Sequence, residues 1–158
     1  MIEESPEGFI QRWREYAADV QLFPRTEGSP LLECLAAGAI LQLLDRTGPY
    51  LAGSGRQRVI LNPMVERLSP NPDQLTSLEV SGLGALKAAG RVIAGEGRMS
   101  VVDCGVPLVV AVVGEDGERF DAGGYVQFEV LPPVHGFVIR DETRSKRRDA
   151  AENTDEAM

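Results

Sequence analysis

The sequence predicts an α+β fold: two N-terminal helices packed on a small, mostly antiparallel β-barrel (OB-like) or curved sheet, followed by a disordered tail. Three observations predict it. Two apolar segments before residue 50 each open on Ser-Pro, at Ser5-Pro6 and Ser29-Pro30, the pattern in which serine caps a helix and proline fits its first turn. Between residues 51 and 140 short apolar runs alternate with glycine, proline and acidic turns, as successive short strands do. From Asp141 onward no aliphatic residue larger than alanine precedes the last methionine, and such a segment cannot bury enough surface to offset its ordering entropy. The expected divisions are a helical part at 1–50, a barrel-like part of the same domain at 51–140, and a charged tail at 141–158.

The first helix is expected at 6–20. Phe9, Ile10, Trp13, Ala17 and Val20 recur at helical spacing, and Pro24 ends the pattern. Leu31 to Leu44 is apolar almost all round, which in a helix means burial in the core or against a partner. Gly48-Pro49 would close it, and Gly38 would mark a close packing contact on it. Beyond Gly53-Ser54-Gly55 the runs at Val59–Leu61, 76–81, 86–94, 98–104, 107–113, 124–131 and 136–140 read as strands. Val126, Phe128 and Val130 alternate with Tyr125, Gln127 and Glu129, a half-buried strand. Pro107 to Val113 is apolar on both faces and should be central. Strands of this number and length match an OB-type barrel in architecture.

Composition narrows the functional classes. The 158 residues suit one domain, with 43% hydrophobic and 25% charged residues. The start, Met1-Ile2-Glu3-Glu4, is acidic where a secretory signal needs positive charge. The longest apolar stretch, interrupted by Glu33 and Gln42, falls short of the roughly 20 residues that cross a bilayer. A cytoplasmic protein without a membrane partner is expected. Net charge is −8, with 8 acids and 4 bases in 1–50, 10 and 8 in 51–140, and 6 and 4 in 141–158. No basic domain favours duplex binding.

Chemistry-bearing motifs are sparse. Cys34 and Cys104 belong to no Cys-x-x-Cys pair and read as buried thiols. The single histidine, His135, lies in Pro-Pro-Val-His-Gly and reads as part of a turn rather than a base or metal ligand. Gly82-Leu83-Gly84-Ala85-Leu86-Lys87 resembles a dinucleotide loop, with Asp103 about 20 residues on, but Lys87 replaces the third glycine. A glycine-bent strand is the simpler account. No cofactor, metal or catalytic residue is assigned, and the chain reads as a non-catalytic binding or assembly module acting through a homo-oligomer or another protein partner. The alternative is an OB-like single-stranded nucleic-acid binder. Its contacts would be Tyr125, stacking on a base, with Arg91, Arg98 and Arg119 on phosphates.

Overall fold

The computed structural model describes residues 5–26, 28–47, 54–80, 85–115, 120–130 and 132–139. The expected tail at 141–158 lies outside them. Among the described residues one helix, α1 (Pro6–Trp13), runs into a single 3-10 turn at Arg14–Tyr16. Twelve strands follow among the described residues: β1 (Ala18–Leu22), β2 (Leu31–Ala36), β3 (Ala39–Asp45), β4 (Gly55–Asn62), β5 (Met64–Val65), β6 (Ser69–Pro70), β7 (Ser77–Val80), β8 (Leu86–Glu96), β9 (Met99–Asp103), β10 (Pro107–Val112), β11 (Tyr125–Val130) and β12 (Val134–Val138).

The start of α1 is as the sequence implies. Ser5 caps it, its Oγ accepting from the Gly8 N–H at 3.1 Å, and Pro6 opens the first turn. The helix is shorter than expected, because Ala18–Leu22 is a strand whose alternate residues Ala18, Val20 and Leu22 are buried. The second expected helix is corrected outright: Leu31 to Asp45 is the β2–β3 hairpin. Leu32, Cys34, Ala36, Leu41 and Leu43 point inward, while Leu31, Glu33, Leu35, Ile40 and Gln42 are exposed. Aliphatics on both faces erase the alternation that would mark strands. Gly38 makes no close contact; it supplies a φ of +81° to the two-residue turn, beside Ala37 at +49°. Ser29 is a local turn residue rather than a helix cap, its Oγ accepting from the Leu31 N–H two positions on.

β1, β2, β3, β12 and β4 form a closed barrel in that order, all neighbours antiparallel except the parallel pair β3–β12. Between β4 and β12 the chain builds a second, curved sheet in the order β5-β10-β9-β8-β11-β6. The eleven-residue β8 carries β11 on one side, with β7 and then β9 in line on the other. One apolar core runs from the barrel interior (Val20, Leu32, Leu43, Val59) into the sheet (Leu108, Val110, Val126, Phe128). A second core forms where the outer faces of β4 and β12 (Ile60, Phe137) meet Val101 and Val109 of β9 and β10. There α1 closes it with Trp13, and Phe9 stacks on Phe137 at 4.3 Å.

The barrel closes through β12, which must fit between β3 and β4. Gly136 sits at the tightest point, where a Cβ would lie 3.0 Å from Leu43 Cδ1, 3.3 Å from its Cβ and 3.5 Å from Val59 Cγ1. Overfilling a packed core at such a point costs about 1–3 kcal/mol. Gly136→Val is expected to lower the unfolding free energy by about that much, read as a lower urea midpoint at unchanged slope. An unchanged midpoint would mean β12 is not packed into the closure.

Candidate functional site

The outer surface of the barrel divides into two parts. The β4 and β12 side is covered by the second core. Among the described residues nothing covers the β2–β3 side. Register fixes what it shows: Leu35 lies opposite Ile40, Glu33 opposite Gln42, and Leu31 opposite Leu44. Directly opposite side chains in such a pair sit about 4.5–5.5 Å apart at Cβ. Leu31 and Leu35 are each 41% exposed and Ile40 56%, with Leu44 half-buried. Continuing the row across β1 to β4, Leu35 is followed by Gln21 and then Arg56, both exposed. The face is therefore aliphatic with one carboxylate and one carboxamide at its centre and a polar flank. The exposed aliphatics on this side are clustered on two paired strands rather than scattered singly.

A polar lock holds one end of this face. Arg25, in the β1–β2 connection, reaches Asp45 Oδ2 at 3.0 Å, and both side chains are almost fully buried. A second guanidinium nitrogen donates to the Ser29 carbonyl at 3.1 Å. Asp45 Oδ1 accepts from the Thr47 N–H at 2.8 Å and from its hydroxyl at 2.5 Å, and the same hydroxyl oxygen accepts from the Val138 N–H at 3.4 Å. Loop, β3 and β12 are thus tied through one carboxylate. Removing one partner of a buried pair of this kind leaves an uncompensated charge and costs about 3–5 kcal/mol.

Beside the lock, Arg46 donates to His135 Nδ1 at 3.4 Å. His135 is in β12, not in a turn as its Pro-Pro-x-x-Gly context suggests. Burial lowers its pKa, and the Arg46 charge lowers it further. Cys34 and Cys104 are both free and buried. Desolvation pushes each thiol up to about 12, opposed at Cys34 by a hydrogen bond with the Leu41 backbone and reinforced at Cys104 by the Asp103 charge. A thiol so far from its thiolate is a poor nucleophile.

The residues expected to contact nucleic acid are only partly gathered. Tyr125 pairs with Arg91 across β11 and β8, and Arg91 pairs with Asp103 across β8 and β9, so a carboxylate flanks the cation. Arg98 lies at the far end of the β8–β9 hairpin, where its guanidinium donates to the carbonyls of Val112 and Gly114 at 3.5 and 3.2 Å. Arg119 lies outside the described residues. Of the glycine-rich loop, 82–84 also lie outside, but the next element is strand β8 and not the helix a dinucleotide site requires. Asp103 accepts from the Gly105 N–H at 3.0 Å, as a turn residue does.

Among the described residues no three His, Cys, Asp or Glu side chains are grouped to hold a metal ion, and no helix is long and apolar enough to cross a membrane. The β2–β3 face is hidden in the sequence because its residues read as the buried side of a helix. No family model, curated protein or solved structure matches the chain.

The lowered pKa of His135 has a consequence for stability. The unfolded chain binds a proton near the ordinary value of about 6.5, the folded chain only below it, so the unfolded state gains protons first as pH falls. Stability is then full above about pH 6.5 and declines on acidification toward the folded pKa. Urea midpoints should fall between pH 7 and pH 5.5 in the wild type and fall less in His135→Gln; equal slopes would contradict the assignment.

Proposed function

We propose that the chain is a non-catalytic binding module whose working surface is the open outer face of β2 and β3, and that this surface takes a protein. The observation that carries the reading is the exposure of Leu31, Leu35 and Ile40 on paired strands of a closed barrel. Because about half of each side chain is already covered, burying the rest contributes roughly 1 kcal/mol apiece. That is enough to drive association if the flanking polar groups are matched.

The strand layout supports an OB-like description: five strands closed into a small barrel, with the first three joined as consecutive antiparallel neighbours. OB-type barrels use the face of their second and third strands for binding. Nucleic-acid binders place aromatic and basic side chains on such a face. Here it carries aliphatics, Glu33 and Gln42, which suits a protein surface and repels phosphate.

One observation favours the nucleic-acid reading elsewhere on the molecule. Tyr125 and the exposed Arg91 are neighbours on the curved sheet, an aromatic platform beside a cation. That reading predicts oligonucleotide affinity that falls steeply with salt and is lost in Tyr125→Ala.

A photo-crosslinking amino acid placed at Ile40, and in a second variant at Gln127 on β11, separates the two readings in living cells. Discrete protein adducts from position 40 and none from 127 are expected. Adducts from 127 alone, or nuclease-sensitive adducts there, would overturn the assignment of the binding face.

A further inference from the structure

We infer that the β2–β3 face is self-complementary and that a second copy of this chain docks on it, hairpin against hairpin, about a two-fold axis running along the strands. The inference rests on the reading of this face as the binding surface and names its occupant.

In a two-fold dimer the same patch is used on both copies, so residue i meets j and j meets i. When two sheet faces oppose one another, the axis lies in the interface and takes one of two simple directions. Laid across the strands through the Glu33–Gln42 pair, it would set Glu33 against Glu33 of the second copy, two carboxylates with no cation between them. Laid along the strands between β2 and β3, it sets each β2 residue against the β3 residue that the register pairs it with. Leu35 then meets Ile40 of the second copy and Leu31 meets Leu44. Glu33 meets Gln42, whose carboxamide N–H groups donate to the carboxylate. Apolar meets apolar on both sides, and the one charge at the centre of the face is met by a donor. The second arrangement gives each carboxylate a donor; the first leaves like charges opposed, which disfavours it.

Size sets the strength. Six residues on two strands cover roughly 20 Å by 10 Å, well below the approximately 800 Å² per partner of a standard interface. The dimer is therefore weak and concentration-dependent. Each copy carries a formal charge of −8, so added salt screens the repulsion and strengthens association.

Sedimentation velocity of the full chain from micromolar to millimolar concentration tests this. Wild type should shift from monomer to dimer, more readily at high salt. Gln42→Glu, which opposes carboxylates at both symmetry-related contacts, should weaken the dimer about tenfold or more. Glu33→Lys combined with Gln42→Glu should restore it. Leu35→Asp should leave only monomer. The three substituted positions are solvent-facing, and circular dichroism with thermal unfolding confirms that each variant folds. A monomer at every concentration and salt, or a dimer indifferent to Gln42→Glu, would overturn the inference. If the chain stays monomeric while a crosslinker at Ile40 captures a protein of another mass, self-docking fails and the binding-face reading survives. If neither occurs, both fail.

Discussion

Everything in this molecule turns on β12 finding its slot between β3 and β4. The slot lies between β3 (Ala39–Asp45) and β4 (Gly55–Asn62), yet the strand that fills it comes at 134–138, after all the strands of the curved sheet in chain order. Its two flanks differ, parallel to β3 and antiparallel to β4. Gly136 lets the backbone approach Leu43 and Val59 closely enough to complete both ladders. The same strand turns Phe137 outward onto Phe9, so closing the barrel also creates the surface on which α1 lands. Long-range pairing of this kind must overcome loop-closure entropy before any contact rewards it.

The closure also decides which surfaces are covered. The curved sheet, inserted between β4 and β12, packs against the outer faces of those two strands, and among the described residues nothing covers the outer faces of β2 and β3. The Arg25–Asp45 pair and the Thr47 hydroxyl fix the end of that open face to β12. A buried ion pair contributes little net stability, but it penalises alternatives that would strand one charge. Here it ties the β1–β2 connection to the end of β3.

The second half of the fold is legible in the sequence, and the first half misleads. From residue 76 onward, glycine, proline and acidic turns bound each strand, and β7 to β11 fall within a few residues of the expected runs. β12 begins two residues before the run at 136–140, because Val134 and His135 read as part of the Pro-Pro turn. Ser5-Pro6 is a true helix start. Ser29-Pro30 presents the same letters, but Ser29 bonds the Leu31 amide and a strand follows. Leucine and alanine favour helix intrinsically by a few tenths of a kcal/mol, and sheet closure overrides so small a preference. The decisive cue is a single glycine, Gly38, between two apolar runs, and it fits a hairpin turn as well as a helix contact. The candidate site is illegible for the same reason: with Leu31, Leu35 and Ile40 exposed, inside and outside look alike, and only the register tells them apart.

On the proposed reading, the aliphatic face that the topology leaves open is where the chain meets other molecules. The most direct test is methyl NMR of chain labelled at leucine, isoleucine and valine, titrated with nuclease-treated native lysate. Selective broadening of the Leu31, Leu35 and Ile40 methyls, with buried Ile60 and Leu108 unaffected, is expected. Broadening confined to the curved sheet, at Val80 or Ile93, with the β2–β3 methyls unchanged, would refute the proposal.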